Sequence, residues 1–246
     1  MYAPAATASR VEVKVGRRGR ALRINGTFAS WYEPGRSITG SVWDALAAPM
    51  LMLPPARRRS VLILGLGGGS AARIVRALAP RAEIVGVECD GEVLRAAREH
   101  FDLDQIGLRV VEADARDYLR RVRRQFDVVI EDVFIGSARW VRKPDWLPTP
   151  GLARAARRVA RGGILVSNTI DESAAVAAVM RRLYPATLGI ELLDYDNRVV
   201  VGGPDVISGR LLRAAVLNHP TLAQAKSQMR FRSLSGRRRG TGARFG

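Results

Sequence analysis

Four glycines in five positions, Gly65, Gly67, Gly68 and Gly69, follow the apolar run Val61-Leu62-Ile63-Leu64. Glycine reaches positive φ and lets other groups approach the backbone, at an entropic cost, so this density at a strand end points to a tight turn against a ligand. A helix opening at Ser70 would aim its first amides at an anionic or strongly accepting group. Glu88 stands 23 residues after Gly65, close to the ~20-residue offset at which a carboxylate accepts hydrogen bonds from ribose hydroxyls. Gly65, Gly67 and Gly69 satisfy G-x-G-x-G, but G-x-G-x-x-G would need glycine at 70, which turns the reading from NAD toward another nucleoside. Asp114, in VVEADARDYL, is placed to read an adenine amino group, and is equally placed to cap a helix. Glu131-Asp132 closes the run FDVVIED, a further acidic strand end. Cys89 reads as a small filler at a strand end rather than a nucleophile, since no histidine is near it in sequence.

These residues are useful only if the chain gathers them, and the pattern around them is that of an α/β fold. Short apolar strands at 61–66, 83–88, 108–112, 126–131 and 163–168 alternate with arginine-rich amphipathic helices at 70–79, 91–100, 115–124, 151–161 and 172–183. That alternation predicts a doubly wound, mostly parallel, Rossmann-like sheet, with each candidate residue at a carboxyl strand end, where such sheets bind ligands. Runs near 187–195 and 198–202, separated by Asp196-Asn197, predict an antiparallel hairpin at the sheet edge. Residues 205–229 read as helical, interrupted at Pro220. A small N-terminal β unit is expected over 11–32, with Val11, Val13 and Val15 alternating and a second short strand broken at Asn25-Gly26; Trp31 and Trp43 are assigned to its packing. The organisation is therefore 1–55, the β unit and a linking helix; 56–229, the sheet domain; and 230–246, an arginine-rich tail. The segment 133–150 is long for a strand-to-helix connection and reads as an aromatic, basic lid carrying Phe134, Trp140, Trp146, Arg139, Arg142 and Lys143.

Composition excludes several classes. One cysteine and two histidines, His100 and His219, leave neither an internal disulfide nor a Cys/His metal cluster, and no metal site is expected. No apolar stretch approaches the ~20 residues of a membrane span, and the first residues lack a signal peptide's pattern, so a cytoplasmic location is expected. The formal net charge of +17 is nearly all arginine. The tail RFRSLSGRRRGTGARFG reads as disordered, with weak contact to nucleic acid or an acidic partner as its possible role, although no aromatic stacking platform accompanies the charge. An isolated two-stranded unit is marginal alone, which makes a homodimer through the N-terminal strands an expectation.

In order, VLILGLGGGSAARIVR, EIVGVECD, VVEADARDYL and FDVVIEDVF resemble class I S-adenosylmethionine-binding proteins, and among them the spermidine synthase group of aminopropyltransferases. The resemblance covers roughly 11–203. It implies S-adenosylmethionine or its decarboxylated form as donor, with Gly65, Gly67 and Gly69 lining the methionine-derived part, Glu88 on the ribose and Asp114 by the adenine. Asp132 would then be the catalytic carboxylate that assists a small-molecule acceptor. Three features depart from the family: Ser70 and Ile135 stand at aspartate positions of its G-G-G-D-G and D-S-x-D-P motifs, and SVWDA does not match its Y-H-E segment. Losing counter-charges should weaken a polycationic acceptor. Aminopropyl transfer is what the resemblance implies, while the departures keep open methyl transfer to a neutral or anionic acceptor, or a non-catalytic nucleotide-binding homologue.

Overall fold

The computed structural model describes residues 10–137 and 140–234. The chain opens with an antiparallel meander, β1 (Val11–Val15), β2 (Arg20–Ile24) and β3 (Thr27–Tyr32). Asn25 and Gly26 both take positive φ, 51° and 78°, the conformation a two-residue hairpin turn requires. The predicted break in a second strand is thus a reversal into a third.

A short helix, α1 (Val42–Ala47), follows, with all six residues buried. It and the 3-10 turn Ala48–Met52 join the apolar core of the large sheet. That sheet and its helices are built from β4 (Ser60–Leu64), α2 (Ser70–Leu78), β5 (Glu83–Glu88), α3 (Gly91–His100), β6 (Arg109–Glu112), α4 (Ala115–Arg121) and β7 (Phe126–Glu131). Then come α5 (Gly151–Ala156), β8 (Val159–Thr169), α6 (Ser173–Leu183), β9 (Ala186–Leu192), β10 (Arg198–Gly203), α7 (Gly209–Asn218) and β11 (Met229–Ser233). The order across the sheet is β11-β9-β10-β8-β7-β4-β5-β6. β4 to β8 are mutually parallel; β10 runs antiparallel to β8 and β9, and β11 antiparallel to β9.

Alternate residues of the central strands feed two cores, which explains their unbroken apolar runs. Val61, Ile63, Val128, Ile130 and Val166 pack with α1, α2 and α7, whereas Leu62, Leu64, Val85, Val129 and Leu165 pack with α4, α5 and α6.

Three expectations about elements give way. The helix placed at 205–229 ends at Asn218, ahead of Pro220, and the chain then makes a 3-10 turn and β11. Met229-Arg230-Phe231-Arg232 alternates with period two, and Phe231 pairs with Ile190 of β9, so the start of the expected disordered tail is an edge strand. Residues 235–246, and Arg139 of the predicted lid, lie outside the described residues. The helix expected at 151–161 stops at Ala156, because Val159 pairs with Phe126 before a register shift admits Gly162, at φ +77°, and Gly163. No helix among the described residues is long and apolar enough to cross a membrane.

The strand order reverses between β4 and β7, and the crevice above that reversal is where open α/β sheets hold ligands. Gly65 follows β4 and Asp132 follows β7.

Candidate active site

The glycine turn is held by protein on three sides. Gly65 has φ +82°, and a Cβ there would run into the Asp132 carbonyl oxygen, so only glycine lets the ends of β4 and β7 approach. A Cβ on Gly68 would come within 2.9 Å of the Ser30 Cβ. Ser30 Oγ accepts from Gly68 N–H at 2.7 Å, while Ser70 Oγ accepts from Trp31 N–H at 2.9 Å and donates to Trp31 C=O at 2.8 Å. Ser70 therefore stitches β3 to the start of α2. The sequence assigned the glycines to a ligand alone; the meander claims part of that close packing.

Glu88 closes the turn from the next strand. Its Oε2 accepts from Gly67 N–H at 2.9 Å, and its Oε1 from Cys89 N–H at 2.9 Å and Asp90 N–H at 3.2 Å. A carboxylate has about four accepting positions, so Oε2 keeps one for an outside donor. Asp114, exposed at the end of β6, caps α4 by accepting from Asp117 N–H at 3.1 Å through Oδ1. Of its two sequence readings, the cap is the one seen directly, and Oδ2 is left for another donor. Cys89 is exposed, against the expectation for a lone cysteine. Desolvation, with the charges of Glu88, Asp114 and Asp90, pushes its thiol up to about 11, so it is no thiolate at neutral pH.

Asp132 sits across the crevice. Its Oδ1 accepts from Asn168 Nδ2 at 2.7 Å and its Oδ2 from the Trp43 indole N–H at 3.2 Å. Asn168 is fixed in turn by Asn197, whose Nδ2 donates to its Oδ1 at 3.1 Å. Burial pushes the Asp132 carboxyl up to about 6; the Asn168 hydrogen bond, the Lys143 charge and the Trp43 hydrogen bond oppose this, and Glu131 adds to it. The group titrates where a general base is useful.

Beneath Asp132 lies an ion pair that sequence reasoning missed. Lys143 Nζ donates to Glu131 Oε1 at 2.6 Å with both side chains 1% exposed, and it lies 4.1 Å from the centre of the Phe134 ring. Ser167 Oγ donates to Glu131 Oε2 at 2.6 Å. Lys143, expected as one of the lid's surface charges, instead pins the lid: Ile135 and Arg142 pair as an antiparallel bridge, and Trp140 projects outward at 79% exposure. Trp43 does pack, edge-on against Phe28 at 5.2 Å, but its indole also reaches the crevice. Asn168 could have been found by the same strand-end logic as Asp132. For Trp43, Ser30 and Lys143 no local signal exists, because each is brought in by another part of the chain.

The structure thus gathers Gly65 with Asp132 and Gly67 with Glu88, while Asp114 stands at the adjoining strand end with no bond to either pair.

Comparisons with known proteins agree with this architecture. A family model described as "Methyltransferase domain" matches residues 61–163. A "Probable polyamine aminopropyl transferase" from Bifidobacterium longum is 35% identical over 100 residues, 40% of this chain and 22% of that protein. The chain spans less than a quarter of the length of the first curated relatives it matches. Among solved structures, a probable spermidine synthase from Corynebacterium glutamicum superposes with a TM-score of 0.72 at 21% identity, covering 92% of this chain and 88% of that one. Human Methyltransferase-like protein 13, in complex with SAH, gives 0.62 at 20% identity, covering 76% and 93%. The chain has the class I S-adenosylmethionine-dependent methyltransferase fold. Within that fold the chain is similar to the spermidine synthase group, and the small N-terminal sheet is set ahead of the Rossmann-like domain.

Proposed function

We propose that this chain is an alkyl transferase that binds an S-adenosylmethionine-type sulfonium nucleotide above β4 and β5 and passes a carbon group from its sulfur to a small-molecule acceptor. Gly65, Gly67 and Gly69 would line the methionine-derived part, the open position on Glu88 Oε2 would take a ribose hydroxyl, and Asp114 Oδ2 would face the adenine. The acceptor's lone pair forms a bond to the carbon, the carbon–sulfur bond breaks, sulfur leaves as a neutral thioether, and the acceptor's proton passes to Asp132. Such a displacement gains mainly from alignment in a water-poor crevice. The observation that carries this reading is Asp132 itself: held through both oxygens by Asn168 and Trp43, beside the glycine turn, and raised to about 6.

Likeness to the spermidine synthase group favours an aminopropyl group, taken from decarboxylated S-adenosylmethionine, and a role in polyamine synthesis. One observation favours a second reading, methyl transfer to a neutral or anionic acceptor. The buried Lys143 ammonium already neutralises Glu131 and acts on Asp132, and Ile135 replaces a family aspartate, so a polycation would find fewer free carboxylates than it needs.

The test is incubation with each labelled donor, with putrescine, spermidine or a metabolite extract as acceptor. Label in a polyamine supports the first reading, and label from S-adenosylmethionine in another metabolite supports the second. Nucleotide binding without turnover, unchanged in Asp132→Asn, would mean a non-catalytic nucleotide-binding protein and would defeat both.

A further inference from the structure

The described residues hold a second concave site, on the opposite side of the molecule from the crevice. α4 and α5 run back from the crevice toward the amino ends of β7 and β8, and a cavity of about 250 Å³ lies at their carboxyl ends. It is lined by Leu119, Arg120, Arg123, Arg154, Arg157 and Arg158. A backbone and a side-chain bond fix the frame: Phe126 N–H donates to Arg158 C=O at 2.7 Å, and Gln125 Nε2 donates to Arg157 C=O at 3.4 Å.

Five guanidinium groups around one cavity repel each other, and no carboxylate lines it. Among the described residues Arg120 pairs with Asp117 at 3.7 Å, on the exposed surface of α4. Helix carboxyl ends attract cations, which accounts for one or two arginines but not for five converging from α4, α5 and the turns that follow them. Arg154 Nη1 and Arg158 Nε are also buried without a hydrogen-bond partner. A buried donor without an acceptor is costly, and an arginine fork suits oxyanions in particular.

We infer that this cavity is a binding site for a small molecule carrying linked phosphates, separate from the transferase crevice. One phosphate would engage two or three forks, whereas five guanidiniums around the volume of roughly eight waters match a di- or triphosphate. No aromatic side chain lines the cavity, so it lacks the platform that stacks bases. Recognition therefore falls on the phosphates, and a nucleoside or other group attached to them would project outward.

The experiment titrates the whole chain at low salt with inorganic triphosphate, a nucleoside triphosphate and a short single-stranded RNA, by calorimetry. Triphosphate should bind, with the nucleoside form equal to it if phosphate alone is read and tighter if the attached group is read as well. The double variant Arg154→Gln/Arg158→Gln should lose roughly tenfold in affinity for each guanidinium removed. Without ligand, its melting temperature should stay level or rise, because like charges are relieved; a merely structural role for these arginines would lower it. Should that variant fail to fold, Arg120→Gln/Arg123→Gln, exposed on α4 and in the turn that follows it, should show the same loss. Absence of triphosphate binding, equal binding by the variants, or RNA binding that outcompetes triphosphate would each overturn the proposal.

Discussion

Asp132→Asn gives the sharpest test of the crevice electrostatics. Burial raises the carboxyl from 3.8 to about 6, a shift of about 2 units, equivalent to about 3 kcal/mol. Because the native state binds this proton more tightly than the unfolded chain, the contribution is stabilising below pH 3.8 and is lost as pH rises through about 6. Asparagine has no such proton, and the remaining carboxylates titrate alike in both proteins. The stability difference between wild type and variant should therefore change by about 2.5 kcal/mol between pH 4 and pH 7.5, in the variant's favour at the higher pH. At neutral pH the net gain should be smaller, about 2 kcal/mol, since an asparagine amide cannot accept from both Asn168 and Trp43 and the lost hydrogen bond costs about 1 kcal/mol. Urea unfolding of both proteins across this range measures the difference. A gap that does not move with pH would show that Asp132 is not a desolvated carboxylate, and its assignment as the proton acceptor would go with it.

Three further outcomes are expected. Glu88→Gln should weaken S-adenosylhomocysteine at least about tenfold by calorimetry, because a charge-assisted hydrogen bond to the ribose is worth about 1.5–3 kcal/mol; unchanged affinity would remove Glu88 from the ribose. Ser70→Ala should cost about 1–3 kcal/mol in denaturant unfolding, since Trp31 N–H and C=O both lose the hydroxyl that joins β3 to α2. Lys143→Met should cost about 3–5 kcal/mol by leaving Glu131 buried without its cation, while Lys143→Met/Glu131→Gln should recover much of that loss.

The regular elements were legible where one period dominates. Val61 to Leu64, Ile84 to Val87 and Val128 to Ile130 are apolar runs because parallel strands are buried on both faces, and the helices between them carry the complementary spacing. The residues 205–229 misled because the helix stops at Asn218, ahead of Pro220, and the period-two strand that follows begins only at Met229, the last residue of that window. The lid misled because Lys143 resembles any exposed lysine until Glu131, twelve positions earlier, is known to be buried beside it.

By itself the sequence determined the alternation of strand and helix, the glycine turn and the acidic strand ends, since each depends on residues within a few positions of one another or on one repeating connection. Only the tertiary structure decided what those residues touch. Ser30 and Trp31 come from a separate sheet to grip the turn, Trp43 and Asn168 arrive from opposite sides of the chain to hold Asp132, and five arginines from two helices and the turns after them converge at the far edge. Burial and charge pairing act through space, and the carboxyl of Asp132 is raised by neighbours that no spacing rule connects to it.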